Sequence, residues 1–444
     1  MNTKIIAFAM AFAAGSLLAS EATFTNVVVQ QRWPWSQKVD IDYTLDCDDD
    51  DLMDVSVVLY DGDTPLPVSL LAFSGDVQGV SRGRRRITFD PTASGLAAET
   101  YTSVRAELSA RPAALYLIVD LTKSKGDADV VTYLTKEDLI SGAYGTVVTN
   151  PVSGIDSIAW TGVTNDSTYA TTKYVMRRIS AGSFMMGANN KTYNKDYNQR
   201  TNSVTITRDF YIGVFETTQR QWELVMGSNP SYFKTNGSTR PVEGITYAAV
   251  RGKTADWPSD GYGKSDEGSF LQKMCDLTGL VFDLPTFAQW QYASGYTLSK
   301  WYNTGKTPPS AEWQSGTDAN ECARYSGNSS LGATSAVGNY LDYDVDRATA
   351  KVGSYRCNAF GLYDMHGNVW EFLLDYADDN YEYPEVCTEP VGPSSGSNRM
   401  WNGGSFQRNG QYARLAFRGG YSIPLESKNE TYLRESGFRA IVMP

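Results

Sequence analysis

Only one histidine, His366, stands in the 444 residues of this chain. That scarcity excludes a zinc site built on two or three histidines and an iron centre that needs two. A Ser-His-Asp triad would have to use His366. Cysteine is scarce too: Cys47, Cys275, Cys322, Cys357 and Cys387, with no CxxC pair. A zinc ribbon or a thioredoxin-like site is therefore unsupported. The odd count leaves at least one thiol unpaired. Cys322, Cys357 and Cys387 lie closest together and are the candidates for pairing, although spacing does not choose among them. Basic charge is in deficit, with 39 Lys and Arg against 50 Asp and Glu and a net charge of −11. Nucleic-acid partners want a basic face and are excluded on that ground. The acidic excess serves solubility and suits divalent cations. No apolar run reaches the roughly 20 residues of a membrane span. The longest candidate, Ile5–Ala19, follows the basic start Met1-Asn2-Thr3-Lys4 and precedes small residues near Ser20–Ala22. That pattern reads as a secretory signal over residues 1–22. It predicts an exported chain, periplasmic, cell-surface or extracellular, whose mature form begins near Thr23.

What is present divides the rest of the chain. Residues 23–112 carry TNVVVQQRW, KVDIDYTLD, DVSVVLYDGD, RRRITFD and SVRAELSARP, which alternate apolar and polar residues between turn signals. Short strands at regular spacing without a helical pattern predict an all-β sandwich of immunoglobulin or fibronectin III character. An acid run, Asp46 and Asp48–Asp51 around Cys47, reads either as a Ca²⁺ site or as a solvated loop. Residues 113–170 read as a connector. Within it ALYLIVDL is a buried-strand run expected to complete the sandwich, and LTKEDLIS a short helix capped by Thr135. From residue 171 to 444 helices are expected in ETTQRQWELVMG, with Thr217 or Thr218 as cap and Gly227 as stop, in GSFLQKMCDLTG, and in TFAQWQYAS after Pro285. Beyond Gly295 the text is rich in Gly, Asn, Ser and Tyr, so this domain is expected to be α+β and loop-rich.

Within that domain Gly361–Phe372 reads GLYDMHGNVWEF. Asp364 and Glu371 flank a segment that must turn at Gly367-Asn368. Two hard carboxylates around a tight turn that can aim main-chain carbonyls at one point suit Ca²⁺. The same residues also read as a plain Gly-Asn turn with Trp370 in a core and two solvated acids. The stretch is similar to the signature of the formylglycine-generating enzyme family, the sulfatase-modifying factor domain. Further blocks follow that family's order: RRISAGSFMMGA, FYIGVFETTQRQWELVMGSNPSYFK, RPVEGITY, LPTFAQWQYA, NGGSF and SGFRAI. The resemblance implies a C-type-lectin-like fold with little regular secondary structure.

It also implies site residues. One Ca²⁺ would be held by Asp364, the carbonyls of Gly367 and Val369, and Glu371. A second would use Asn320, the carbonyl of Glu321, Asp344 and the carbonyl of Asp346, while a rival alignment sets Arg324, a cation, in the first part. The family's copper-dependent oxidases place two cysteines after the GGS block. Here those positions hold Arg408 and Ala413, neither of which binds Cu(I). Copper is therefore not expected, nor is formylglycine formation. Ser405 and Tyr412 match residues that line the family's groove. With Arg408 and Arg418 they are the candidates for any other chemistry. The related sulfoxide synthases need several iron-binding histidines and are excluded. In the LPT block Asp283 replaces a basic residue, and Phe287, Gln289 and Gln291 replace acids, which puts local salt bridges in doubt. Three functions follow: a peptide- or glycan-binding module stabilised by Ca²⁺, an enzyme of non-standard chemistry on the same groove, and a retroelement-diversified variable binding protein.

Overall fold

The computed structural model describes residues 5–6, 22–32, 35–48, 52–68, 72–94, 96, 101, 103–149, 158–187, 201–253, 257–258, 261–295, 317–328, 348–378, 381–415, 417, 423–424 and 430–443. Of the segment read as an export signal, Ile5, Ile6 and Ala22 fall among these. So do Asp46 and Asp48 of the acid run, but Asp49–Asp51 do not. The chain divides into two compact units, Met1–Ala114 and Leu115–Pro444.

The alternating segments of the first unit are strands. They are β1 (Thr23–Gln31), β2 (Val39–Asp46), β3 (Met53–Asp61), β4 (Gly83–Phe89) and β5 (Val104–Pro112). One sheet runs Ile5–Ile6, β1, β2, β4, Phe73–Gly75, and a second runs Thr64–Pro65, β3, β5. A period of two sends alternate side chains to one face. Ile41, Tyr43, Leu45, Ile87 and Phe89 of the first sheet and Val55, Val57, Leu59 and Leu108 of the second accordingly enter a single apolar core.

The second unit opens on β6 (Tyr116–Asp120), β7 (Val131–Leu134), α1 (Lys136–Ile140) and β8 (Lys173–Ile179). Then come β9 (Phe210–Gly213), α2 (Gln219–Met226), α3 (Phe270–Thr278), β10 (Val281–Asp283) and α4 (Phe287–Ala293). It closes on β11 (Trp370–Tyr376), β12 (Asn398–Asn402), β13 (Ser436–Gly437) and β14 (Ile441–Met443). Its large sheet is ordered β7-β6-β8-β9-β14-β10. This corrects one expectation. Tyr116–Asp120 joins neither sheet of the first unit; it pairs antiparallel with Lys173–Arg177 and is buried in the second unit. A strand buried this deeply must pair its backbone groups at both edges, and β7 and β8 supply the ladders. Residues 115–170 thus belong to the second unit rather than to a connector.

The helices stop and start where their caps require. Thr218 caps α2 with a reciprocal bond to Gln221, and Gly227 ends it at φ 80°. Thr286, directly after Pro285, caps α4 in the same way with Gln289. Asp283 finds a new partner: Arg251 donates to both its oxygens, at 2.8 and 3.2 Å, and both side chains are fully buried. Gln291 accepts from the amide of Gly187 and donates to the carbonyl of Leu415. At two of the exchanged positions of the LPT block, Asp283 and Gln291, the side chains thus have partners. The sheet that carries the signature sets β11 antiparallel to β12 and parallel to β13.

Candidate functional site

The signature turn is built from backbone that few residues tolerate. Asp364, Gly367 and Asn368 have φ of 57°, 74° and 61°, all left-handed. Asp and Asn enter that region through local hydrogen bonding, and glycine enters it freely. Here both side chains are held by bonds from a more distant segment. Asp364 Oδ2 accepts from the amide of Gly353 at 2.7 Å, and Asn368 Oδ1 accepts from the amide of Ala350 at 2.8 Å. The Gly367 amide donates to the Gly403 carbonyl at 2.6 Å, which ties the turn to the NGGSF block.

Behind the turn lies a layer of buried charge. Glu371, at the second strand position of β11, is fully buried. Its Oε1 accepts from Arg439 Nη2 at 2.6 Å, and its Oε2 accepts from Arg439 Nε and from the indole of Trp290, both at 2.7 Å. Arg439 also donates to the carbonyls of Gly213 and Tyr363. Glu216 closes the layer. Its Oε1 accepts from the amide of Val369 at 3.0 Å and its Oε2 from the Asn368 amide group at 2.6 Å. Sequence reasoning missed Glu216, which stands one residue before the Thr217-Thr218 cap region but about 150 residues from its partners. Burial first, then the charges of Asp364 and Glu371, raise the Glu216 carboxyl well above its ordinary value. Burial pushes Asp364 up to about 6.

These contacts sort the expected Ca²⁺ ligands. Asp364 is 2% exposed, and its Oδ1 has no hydrogen-bond partner. A buried carboxylate oxygen without a donor is costly unless a cation or proton meets it, so Asp364 fits a hard cation. Glu371 departs from the expectation of an open carboxylate, because Arg439 and Trp290 already engage both its oxygens. Among the described residues, no group of three or more His, Cys, Asp or Glu side chains converges as a metal cluster. Of the second set, Asn320 and Glu321 are exposed, and the Glu321 carbonyl accepts from the Arg356 amide at 3.0 Å. Asp344 and Asp346 lie outside the described residues. Arg324, the rival residue, is the one that meets the signature turn. Its carbonyl accepts from the Asn368 amide at 2.8 Å, and its guanidinium donates to the carbonyls of Ala348 and Asn328.

The groove residues form a separate cluster. Ser405 Oγ donates to Glu435 Oε2 at 2.6 Å. Arg408 donates to the same carboxylate through Nε at 2.8 Å and Nη2 at 3.0 Å. Glu435 is fully buried, and the Arg408 side chain is 15% exposed. Ala413 is buried beside Ala319, Cys322, Ala323 and Tyr325. Its carbonyl lies 2.7 Å from His366 Nδ1, and burial pushes the His366 imidazole down to about 4. His366 is thus a packed, hydrogen-bonded residue. Tyr412 packs on Trp370 and Phe417, and Arg418 lies outside the described residues. None of the five cysteines, all described, forms a disulfide.

The model of the sulfatase-modifying factor enzyme 1-like domain matches residues 164–443. The chain belongs to that family. Among similar proteins are a chaperone protein LppX of Paenibacillus barcinonensis, 29% identical over 216 residues, covering 44% of this chain and 70% of the relative. A formylglycine-generating enzyme of Streptomyces coelicolor is 31% identical over 148 residues, covering 33% of this chain and 41% of the enzyme. The match thus spans less than half of that enzyme's length. Among solved structures, Treponema denticola variable protein 1 aligns at a TM-score of 0.43 and 24% identity, over 61% of this chain and 96% of that one.

As a sulfatase-modifying factor domain, the chain presents Arg408 and Ala413 at the positions that the resemblance aligns with the oxidase thiols. The donor set there is a guanidinium locked to a carboxylate, a methyl group and one buried thiol, Cys322. It does not fit Cu(I), which wants two soft thiolates. Among the described residues no helix is long and apolar enough to cross a membrane.

Proposed function

We propose that this chain is an exported, Ca²⁺-stabilised binding module of the sulfatase-modifying factor family that takes a peptide or glycan and is not a copper-dependent oxidase. The Arg408–Glu435 pair carries the reading. It fills the first thiol position with a charge that is neutralised and half-sealed by a buried acid, and Ala413 offers no donor at the second. Loss of the thiols removes both the copper ligands and the thiol that would exchange with a substrate cysteine. The name of the Paenibacillus relative, a chaperone protein, supports a polypeptide as the ligand.

The cation is Ca²⁺ on chemical grounds. Oxygen donors in an irregular turn, with main-chain carbonyls at Gly367 and Val369 and a carboxylate at Asp364, are the ligand set of a hard ion. Glu371, oriented by Arg439, adds charge to the same layer. The ion would supply the positive charge that three buried carboxylates, Glu216, Asp364 and Glu371, lack with Arg439 alone. The N-terminal unit is read as an immunoglobulin- or fibronectin-III-like sandwich, and the second as a C-type-lectin-like domain.

One experiment separates binding module from oxidase. The purified chain is incubated with a cysteine-bearing sulfatase-type peptide, copper and oxygen, and the peptide is weighed by mass spectrometry. The same chain is applied to peptide and glycan arrays. No aldehyde product with selective array binding supports the reading; conversion of the cysteine to formylglycine overturns it.

A further inference from the structure

Asn402 is fully buried, yet neither its amide oxygen nor its amide nitrogen has a hydrogen-bond partner. A primary amide can use four hydrogen-bonding positions, and native interiors rarely leave all of them unmet. Strand register says which way it projects. Asn402 lies directly opposite Glu371 in the antiparallel pair of β11 and β12, and Trp401 lies opposite Phe372. Directly opposed residues in such a pair share a face. Trp401 and Phe372 enter the apolar core, so Asn402 and Glu371 share the other face, the one that also receives Trp290 and Arg439. The backbone places the same residue against the signature turn. The next residue, Gly403, accepts from the Gly367 amide, and a Cβ on Gly403 would lie 3.9 Å from the carbonyl oxygens of both Met365 and Val369.

A second unmet oxygen is Asp364 Oδ1, on a carboxyl close enough to Glu371 and Arg439 to feel the charge of both. Glu371, the residue that the motif spacing nominates as the second carboxylate ligand, spends its oxygens on Arg439 and Trp290. The layer therefore has an open carboxylate and an open amide, excess negative charge and a turn rich in carbonyls. We propose that Asn402 is a ligand of the cation held by Asp364. Its amide oxygen takes the place in the coordination shell that Glu371, clamped by Arg439, does not fill. Hard cations accept neutral amide and carbonyl oxygens alongside carboxylates. The inference rests on the Ca²⁺ reading above and adds a ligand which that reading does not contain. A buried water would also satisfy such an amide, and the test is set against that alternative.

The full chain is stripped with chelator and titrated with Ca²⁺ alone by calorimetry, as wild type, Asn402→Ala and Asn402→Asp. Melting curves with and without Ca²⁺ are recorded for each. The expected result is wild-type binding, at least tenfold weaker binding in Asn402→Ala, and binding at least as tight as wild type in Asn402→Asp, which adds charge to a hard ligand. The Ca²⁺-induced rise in melting temperature should shrink in Asn402→Ala, while the chelated melting temperatures stay close. Should Asn402→Ala fail to fold, the near-isosteric Asn402→Asp decides alone, and weaker binding there overturns the proposal. Wild-type binding with unchanged affinity in both variants overturns it and leaves the Ca²⁺ reading standing, since Asn402 then holds water only. No binding by the wild type overturns both.

Discussion

Arg408 grips Glu435 with two parallel hydrogen bonds, 2.8 Å from Nε and 3.0 Å from Nη2, and Ser405 adds a third donor to the same buried carboxylate. The planar guanidinium matches the carboxylate fork, which a lysine could not do. At the position aligned with the first oxidase thiol, the chain thus has a structural ion pair whose acid comes from 27 residues further on. Replacement of a thiol by arginine is tolerable only because Glu435 is there to receive it.

This pairing alters what would restore an oxidase-like metal site. Arg408→Cys with Ala413→Cys supplies two thiols but strips Glu435 of its cation. Removing one partner of a buried pair costs about 3–5 kcal/mol, and the upper end is avoided here because Arg408 is partly exposed. The double variant should therefore melt well below wild type and bind Cu(I) poorly. Adding Glu435→Gln should recover most of the stability and raise Cu(I) affinity. Thermal melts and a competitive Cu(I) titration of both variants check this; equal stability with and without the third change would show that the pair is not what holds the groove.

Gly367 is the residue whose replacement the turn should tolerate least. Its φ is 74°, and a Cβ built there would collide with the carbonyl oxygen of Arg324, the same oxygen that accepts the Asn368 amide. Left-handed strain alone costs about 1 kcal/mol in a non-glycine residue. Displacement of the backbone at Arg324, which bridges to Gly367, adds to it, so Gly367→Ala should destabilise by about 3 kcal/mol or more. Urea unfolding gives the number, and a loss under about 1 kcal/mol would mean that the turn relaxes at little cost.

Much of this architecture could be read from local text. The caps at Thr218 and Thr286, the stop at Gly227, the five alternating strands and the Gly367-Asn368 turn all follow from neighbours a few residues apart. What escaped was pairing at long range. The periodicity of ALYLIVDL announces a buried strand but not which sheet will take it, and β8, more than 50 residues later, decides that. The acid at 371 announces a ligand until Arg439, 68 residues away, proves to engage both its oxygens. Glu216, Asn402 and Glu435 carried no local signal, since a buried polar residue looks like any other until its surroundings are known.

Glu243 should report on pH. It is fully buried, its Oε1 accepts from the Phe233 amide at 2.9 Å, its Oε2 has no partner, and burial pushes its carboxyl up to about 7. The folded state therefore keeps a proton that the unfolded chain sheds near pH 4.3. Between about pH 4.3 and 7 the unfolded state binds fewer protons, so stability falls as pH rises through that window, by about 3 kcal/mol in all for this group. Glu243→Gln does not titrate. Its stability relative to wild type should climb between about pH 5 and 7 and level off above. Parallel urea titrations across that range would sink the assignment if the difference between the two proteins stayed flat.

Arg439 bears on the charge of the whole signature layer. Burial opposes its ionisation, yet the carboxylates of Glu371, Glu216 and Asp364 more than compensate and hold its pKa above the ordinary value. Arg439→Met removes that guanidinium and leaves the three buried acids without its counter-charge, at a cost of about 3–5 kcal/mol in chelator. If Ca²⁺ serves the same layer, the ion becomes the counter-charge on which the variant depends. Added Ca²⁺ should then raise its melting temperature by more than it raises that of wild type, because a ligand bound only by the folded state stabilises more the more tightly it binds, as the logarithm of its affinity. Scanning fluorimetry of both proteins with chelator and with excess Ca²⁺ gives the two increments. Equal increments would separate Arg439 from the cation and make its pairing with Glu371 a purely structural bond.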